Sequence, residues 1–348
     1  MISNPAESTI DSAGGETQTD LNIATVGSFP KPKNGYVLPT GSAEHLRLDL
    51  QHEAPKLVQV ALSPTESHQR YILDVGTGSG RWAVEMSENF PNAKVLGIDT
   101  HLPSVLGDPS RPVPSNCSFK IADANCDMNN LDSMFDIIHQ RCVEPGINDT
   151  DLFFYESARI LRPGGVLLSV GANPQLIDTK GRILPIQKPG DVGYSHYQHM
   201  LGYLLEIHLK KGPFRIRHAF WKSMLESNPN YNQVKIEQVL VPLGPWPGMG
   251  ETERKLAETM QQNLLRLWPT FKAILERDGG FSEEFVHNLS EGGLNELREV
   301  PPPVRSYSKW VFTMAVRNEN PWTAQKEPWQ EPPGFDMFDY FVRPLPKE

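Results

Sequence analysis

The sequence predicts an α/β fold with a seven-stranded, mostly parallel sheet that carries helices on both faces. Two observations indicate this fold. From Tyr71 onward, short apolar runs rich in β-branched residues alternate with segments of helical periodicity, which is typical of βαβ units. The run Asp74-Val75-Gly76-Thr77-Gly78-Ser79-Gly80 lies between the first such strand and the first such helix, where a tight strand-to-helix turn belongs.

The elements follow from apolar periodicity and from turn residues. The predicted strands cover residues 71–75, 94–98, 118–122, 135–139, 166–170, 234–241 and 307–316. The predicted helices cover residues 80–89, 150–161, 195–211, 215–227, 251–276 and 282–298. We expect the second helix to end at Pro163-Gly164-Gly165, because proline and glycine stop a helix and turn the chain into the next strand.

We expect three regions along the chain. Residues 1–34 are rich in Ser, Thr, Asn, Gly and acids, and are predicted to form a disordered leader because they cannot bury enough apolar surface. Residues 35–317 are predicted to form the main domain, and residues 318–348, rich in proline and aromatics, an extended arm. The main domain divides into a core at 71–171, a helical lid at about 180–230, and completing strands and helices at 234–317.

Composition excludes several classes of partner. The formal net charge is -9 and the pI about 5.6, so no general positive field exists to hold a nucleic acid or an acidic membrane. The cysteines, Cys117, Cys126 and Cys142, have spacings that fit neither a zinc site nor a disulfide framework, so we expect reduced thiols and no metal. No secretory signal pattern and no apolar run of about 18 residues is present, which predicts a soluble cytoplasmic protein.

The glycine-rich run is the strongest indication of a ligand site. Its glycines allow a sharp turn and close backbone approach, and the N–H groups of the following helix face the same space. A plain tight turn is the alternative. A dinucleotide fingerprint would need a third glycine at position 81, which is Arg81, so a nicotinamide dinucleotide is disfavoured.

Further polar residues lie at the predicted ends of neighbouring strands. Asp99 lies 19 residues after Gly80 and ends the second strand, where a carboxylate can accept both hydroxyls of a ribose; a surface or capping aspartate is the alternative. Asp123-Ala124 ends the third strand. Because Asn125 is adjacent, a simple turn is the alternative interpretation. His139 ends the fourth strand. Since ligands of open α/β sheets bind at the carboxyl ends of the strands, these residues and Gly76 are expected to converge.

The form acid-x-Gly-x-Gly-x-Gly resembles motif I of class I S-adenosylmethionine-dependent methyltransferases, and residues 71–170 resemble their Rossmann-like core. Upstream, Gly35-Tyr36-Val37-Leu38-Pro39 and the segment 44–52, together with Phe-Asp-Ile-Ile-His-Gln-Arg at 135–141, resemble the LaeA-like branch of fungal methyltransferases. The resemblance implies S-adenosylmethionine as cofactor and S-adenosylhomocysteine as product. After Gly171 the chain departs from the branch, so no substrate assignment carries over there.

The motifs and the resemblance together imply a set of cofactor-binding residues. Tyr36 and Arg47 are expected near the methionine end of the cofactor, with packing roles as the alternative, and Asp123 near the adenine amino group. The remaining members of the set are Asp74, Gly76, Thr77, Gly78, Gly80, Asp99, Thr100, Ala124, His139 and Gln140.

Candidates for catalysis and for acceptor binding are fewer. His139 is the candidate general base, because a histidine titrates near neutrality and this one is expected where the sheet opens onto the pocket; a backbone or cofactor contact is the alternative. Arg141, Tyr194, His196 and Tyr197 are the candidate substrate residues, with ordinary helix packing as the alternative. His196 and His199 share a helix face, but no acidic third ligand for a metal is near them in the sequence.

Three functions follow from these residues and the resemblance. The first is transfer of a methyl group to an O or N atom of a small molecule, such as a secondary metabolite. The second is a LaeA-like regulatory protein that acts through partners, with a homodimer or protein partner bound by the C-terminal arm. The third is a cofactor-dependent enzyme of rearrangement or cyclisation. The arm offers aromatic residues for such a surface: Trp322, Trp329, Phe335, Phe338, Tyr340 and Phe341.

Overall fold

A computed structural model describes residues 69–108, 112–211 and 220–334. Some predictions concern residues outside these ranges: the leader at 1–34, Tyr36, Arg47, and the part of the arm from 335 to 348. The strands are β1 (Arg70–Val75), β2 (Ala93–Asp99), β3 (Cys117–Ile121), β4 (Phe135–Arg141), β5 (Leu161–Asp178), β6 (Tyr231–Pro242) and β7 (Ser306–Arg317). The α-helices are α1 (Arg81–Asn89), α2 (Thr150–Ile160), α3 (His196–Lys211), α4 (Trp221–Ser227), α5 (Glu251–Asp278) and α6 (Glu283–Arg298).

The seven strands form one sheet in the order β3-β2-β1-β4-β5-β7-β6. Strands β1 to β5 pair in parallel, whereas β7 is antiparallel to both of its neighbours. The predicted mostly parallel sheet is therefore confirmed. Because parallel strands end at the same edge, Val75, Asp99, Ile121 and Arg141 lie along one edge of the sheet.

Alternation of apolar residues along the central strands places helices on both faces. Ile72 and Ile137 pack with Trp82 and Met86 of α1, whereas the next residue of each strand faces the other side. On that second face, Leu73 and Ile138 pack with Phe154 of α2 and Trp221 of α4. The sheet is covered on both sides, as a mostly parallel sheet requires.

Helices α3, α5 and α6 form a separate apolar cluster beside β5 and β7. Tyr197 and Met200 of α3 pack there with Trp268 of α5 and Leu289 of α6. Val170 and Trp310 contribute the sheet side of this cluster. Helix α3 packs on the Val170 face of the sheet and α4 on the Leu73 face, so the two helices of the predicted lid at about 180–230 lie on opposite faces.

Two boundaries around β5 differ from prediction. Helix α2 ends at Ile160, before Pro163, and the chain enters the strand at Leu161 with Gly164 at φ 78. The strand does not stop near Gly171 but continues to Asp178, because its second half pairs with β7 through Asp178 and Ser306. Such long-range pairing leaves no local mark in the sequence.

The described part of the C-terminal arm lies against α2. The indole N–H of Trp322 donates to the Tyr155 carbonyl at 3.0 Å. The backbone N–H of Trp329 and the side chain of Gln325 donate to the Asp151 carboxylate at 3.0 and 2.6 Å. Residues 318–334 contain no helix or strand, and both tryptophans contact the chain's own domain.

Within the described ranges, no helix is both long enough and apolar enough to span a membrane. All three cysteines fall in these ranges and are free thiols.

Candidate functional site

The glycine-rich run forms an open loop between β1 and α1. Gly76 and Gly78 have φ angles of 64° and 57°, and Gly80 caps α1 at 81°. A Cβ on Gly76 would lie 2.3 Å from Cγ1 of Val143. Since both the left-handed backbone and this contact exclude a side chain, the loop needs glycine at position 76, and its backbone is exposed at Gly76 and Gly78.

A buried network lies at the base of this loop. The carboxylate of Asp74 accepts from Nδ1–H of His139 at 2.7 Å and from the hydroxyl of Thr77 at 2.6 Å. His139 stacks on Trp82 of α1, with 3.8 Å between ring centroids and 12° between ring planes. Asp74, His139 and Trp82 are 3%, 2% and 3% exposed. Asp74 therefore anchors the loop from inside the sheet.

Asp99 meets the same loop at the end of β2. Its Oδ2 accepts from the backbone N–H of Gly78 at 2.8 Å, and its Oδ1 accepts from the N–H of His101 at 3.3 Å. The carboxylate is only half-buried. Thr100 is exposed, and its hydroxyl lies 3.0 Å from Nδ1 of His101. The structure thus brings together the loop and the strand-end carboxylate that the sequence singled out.

Asp123 makes a turn after β3. Its Oδ1 accepts from the backbone and side-chain N–H groups of Asn125 at 2.9 and 2.7 Å. The amide of Asn125 also donates to the carbonyl of Gly146 at 2.8 Å, and its Oδ1 accepts from the N–H of Asn148. The turn that the sequence offered as the alternative for Asp123 is therefore present. It joins the loop after β3 to the loop after β4.

The segment after β4 runs along the same edge. Cys142 adopts φ 51°, which redirects the chain so that Val143 packs on Gly76 and Gly146 reaches Asn125. Burial raises the pKa of the Cys142 thiol to about 12, with the nearby Glu144 carboxylate adding to the rise. This thiol is therefore not a nucleophile near neutral pH.

Glu144 is a residue that sequence reasoning missed. Its side chain is 6% exposed, although it lies in a short 3₁₀ turn at the carboxyl edge of the sheet. Nothing in the local pattern Val143-Glu144-Pro145 indicates that burial.

The predicted residues at the end of β4 differ in exposure. Gln140 is 2% exposed and Arg141 is half-buried. Gln140 pairs with Val75, and His139 pairs with Asp74. Because Gln140 and His139 are consecutive in the strand, their side chains face opposite sides of the sheet. Arg141 remains a prediction as a substrate residue.

The geometry argues against His139 as a general base. A base must reach the proton it removes, whereas this ring is 2% exposed, stacked on an indole and bonded to Asp74. The prediction that it lies open to the pocket is therefore wrong.

The candidate substrate residues at the start of α3 differ in how they pack. Tyr197 is 6% exposed and stacks on Trp268 with 6.0 Å between ring centroids, so most of its ring packs in the helical core. Its role as a substrate residue remains a prediction. Tyr194 packs edge-on against His196 and His199 at 4.7 and 4.8 Å, and remains half-buried.

Glu296 of α6 is the acidic neighbour of His196 that the sequence did not reveal. Its carboxylate accepts from Nδ1–H of His196 at 2.8 Å, from the hydroxyl of Ser195 at 2.7 Å, and from the backbone N–H groups of His196 and Tyr197. It therefore caps the start of α3. Among the residues that the structure describes, no group of three His, Cys, Asp or Glu side chains is arranged to hold a metal.

Comparison with known proteins decides the family. A family model described as a methyltransferase domain matches residues 66–184. Methyltransferase str3 of Strobilurus tenacellus is 30% identical over 223 residues, which cover 63% of this chain and 75% of that protein. The chain belongs to the class I S-adenosylmethionine-dependent methyltransferases.

Other relatives place this methyltransferase in the LaeA-like branch. The secondary metabolism regulator laeA of Coprinopsis cinerea is 30% identical over 142 residues, which cover 38% of this chain but only 34% of the regulator. Among solved structures, the methyltransferase is similar to phosphoethanolamine N-methyltransferase 2 of Haemonchus contortus, with 16% identity and a TM-score of 0.42 over 77% of this chain and 53% of that one.

Proposed function

We propose that this protein transfers a methyl group from S-adenosylmethionine to an O or N atom of a small molecule, releasing S-adenosylhomocysteine. One observation carries the proposal: in a chain of this family, the exposed backbone of the glycine loop and the carboxylate of Asp99 meet at 2.8 Å on the carboxyl edge of the sheet. That is the position at which open α/β sheets bind their ligands.

The described residues fit this cofactor. The exposed glycines at Gly76 and Gly78 carry no side chain that would keep a ligand from the loop backbone, and the half-buried Asp99 carboxylate suits a pair of ribose hydroxyls. Gly78 and Gly80 belong to the glycine loop, and Thr100 follows Asp99 at the end of β2. Asp123 and Ala124 would border the adenine, with Asp123 acting through the turn that it holds.

The remaining residues of the predicted cofactor set have supporting roles in this proposal. Asp74 and Thr77 brace the loop from beneath, and Gln140 packs inside the sheet. Tyr36 and Arg47 stay proposed neighbours of the methionine end, outside the described residues.

Bound S-adenosylmethionine supplies a methyl group on a sulfonium that is already activated for displacement. The protein's part is therefore to align the acceptor and to exclude water, which is where most of the rate enhancement of such a reaction originates. Arg141 at the end of β4 is the residue we propose to orient the acceptor, with Tyr194 and His196 as outer contacts. No metal is needed in this scheme, and none of the described residues is assigned as the base.

The substrate class rests on relatives. Proteins named methyltransferase str3 and methyltransferase pytC are both 30% identical to this chain over their matched segments, and other matched proteins are named secondary metabolism regulators. We propose a secondary metabolite as the acceptor, and a cytoplasmic location for the reaction.

A regulatory protein acting through partners is the second candidate, because relatives named as regulators match the same core. A homodimer or partner contact through the arm would then add to the contacts that Trp322 and Trp329 already make with the domain. Catalysis of a rearrangement or cyclisation is not favoured by any described contact.

Turnover tests the proposal. Purified protein is incubated with S-adenosylmethionine and a panel of phenols, carboxylic acids and amines, and the mixture is analysed by mass spectrometry for S-adenosylhomocysteine and a methylated product. Asp99→Asn serves as the matched variant and should lower both signals when S-adenosylmethionine is limiting. Tight cofactor binding without transfer to any acceptor would contradict the enzymatic proposal and favour the regulatory one.

A further inference from the structure

The contacts beneath the glycine loop form a continuous chain of side chains from α1 to the loop. Trp82 stacks on His139, His139 donates to Asp74, and Asp74 accepts from Thr77. The residues come from three separate segments, α1, β4 and the end of β1 with its loop. Thr77 itself lies between Gly76 and Gly78, whose backbone is the exposed part of the loop.

We propose that His139 is a positioning residue for cofactor binding, which sets the conformation of the glycine loop through Asp74 and Thr77. The inference rests on the proposed function, because the loop is taken to be the cofactor cradle. Asp74, the acidic residue of motif I, then acts by holding the loop and not by contacting the cofactor directly.

The geometry of Asp74 supports this assignment. Its two carboxylate oxygens each accept one hydrogen bond, from His139 at 2.7 Å and from Thr77 at 2.6 Å, and the side chain is 3% exposed. A buried carboxylate that loses a donor is costly, so the orientation of Asp74 depends on the imidazole N–H. A turned Asp74 no longer holds the Thr77 hydroxyl.

Thr77 transmits this constraint to the glycines. Its N–H donates to the Ile98 carbonyl at 2.9 Å, and its carbonyl accepts from the N–H of Gly80 at 2.9 Å. With side chain and backbone both bonded, Thr77 fixes the direction of the peptides on either side. The exposed backbone at Gly76 and Gly78 is thereby held in place before a ligand arrives, which lowers the entropic cost of binding.

The role of the imidazole has two separable parts. Nδ1–H supplies the donor to Asp74, whereas the ring supplies the stack on Trp82. His139→Asn keeps an N–H close to the Nδ1 position and loses the ring. His139→Phe keeps a stacking ring and loses the donor. His139→Asn loses the stack on Trp82, whereas His139→Phe keeps it. A purely structural role would therefore affect His139→Asn at least as much as His139→Phe.

The test measures binding of S-adenosylhomocysteine by calorimetry, alongside the midpoint of urea unfolding, for wild type and both variants. We expect His139→Phe to bind about 10-fold or more weakly, the loss that a hydrogen bond to a charged group implies. His139→Asn should bind within about 3-fold of wild type, because it retains the donor. We expect this even if its unfolding midpoint falls as far as that of His139→Phe.

The outcomes separate the two levels of inference. Wild type that binds no S-adenosylhomocysteine overturns the proposed function itself, and the positioning role with it. If wild type binds, and His139→Asn binds as weakly as or more weakly than His139→Phe, or both variants bind as wild type does, the positioning role alone is overturned. Where His139→Phe does not fold, Thr77→Val cuts the same chain at its other end, and unchanged affinity in that variant overturns the positioning role.

Discussion

The carboxylate of Asp99 and the backbone N–H of Gly78 lie 2.8 Å apart and hydrogen-bond across the crevice between β2 and the glycine loop. In the proposed function, the same carboxylate accepts the ribose hydroxyls of the cofactor. We expect Asp99→Ala to weaken S-adenosylmethionine binding by about 1.5 to 3 kcal/mol, the usual worth of hydrogen bonds to a charged group. Isothermal calorimetry measures this directly.

Asp132→Ala is the control for that variant. Asp132 is 66% exposed and pairs with Arg159 at 3.1 Å, and a surface pair of this kind contributes at most about 1 kcal/mol. Its cofactor affinity should match that of wild type. Equal affinity of the Asp99 variant and wild type would remove Asp99 from the site.

Gly76 is expected to be the least replaceable glycine of the loop. Gly76→Ala meets both a φ of 64° and a Cβ 2.3 Å from Cγ1 of Val143, and we expect a loss of about 1 to 3 kcal/mol in unfolding free energy. Urea unfolding gives the value. Gly190→Ala is the matched control, because Gly190 has φ 91° with no atom within 4 Å of the added Cβ.

A second change separates strain from contact at Gly76. Val143→Ala removes Cγ1 and should recover the contact part of the loss in the double variant, leaving a cost similar to that of Gly190→Ala. If the double variant is no more stable than Gly76→Ala, the contact with Val143 is not the cause.

Local patterns predicted most of the elements because each strand and helix is marked by its own residues. The apolar runs at 71–75 and 135–139 both fall in strands, and the loop glycines occupy the left-handed positions that their sequence indicates. What the sequence hid were pairings over long distances. Asp74 and His139 are 65 residues apart, and Ser195 and Glu296 are 101 apart.

The same limit explains why the surroundings of His139 and Tyr197 were not predicted. Whether a side chain at a strand end faces the crevice or the core depends on register, and a shift of one residue reverses it. His139 faces α1 because it is paired with Asp74, and Tyr197 faces Trp268 because α5 packs on α3. The sequence around His139 does not identify α1 as its partner, and the sequence around Tyr197 does not identify α5.

At Thr313 we expect a substitution to increase the unfolding free energy, in contrast to Gly76→Ala. It lies on β7 beside Ser169, is 3% exposed, and its hydroxyl has no hydrogen-bond partner among the described residues. Burying an unpaired hydroxyl is costly, so Thr313→Val should raise the unfolding free energy by about 1 kcal/mol. Thr77→Val is the contrasting control, because that hydroxyl donates to Asp74 at 2.6 Å and its loss should destabilise. A lower urea midpoint for Thr313→Val would contradict the argument.

His199 makes the stability of the helical cluster depend on pH. Its ring is 2% exposed, its Nε2–H donates to the Gln187 carbonyl at 2.8 Å, and burial lowers the pKa of the imidazole below the ordinary value of 6.5. The Gln187 carbonyl and the Glu296 carboxylate oppose this lowering, and His196 adds to it. The unfolded chain therefore binds a proton at pH values where the folded chain does not. The stability contributed by the neutral ring is present above about pH 6.5 and is lost as the pH falls below that value.

Comparing wild type with His199→Gln isolates this histidine from other groups that titrate in the same range. Glutamine keeps an N–H near the Nε2 position for the Gln187 carbonyl but does not titrate. Urea unfolding at pH 7.5 and 5.5 should show a larger fall for wild type, by up to about 1.4 kcal/mol for each pH unit below 6.5. Because the proton that destabilises the fold has nowhere to bind in the variant, equal falls in the two proteins would mean that the imidazole titrates normally and is solvated in the folded state.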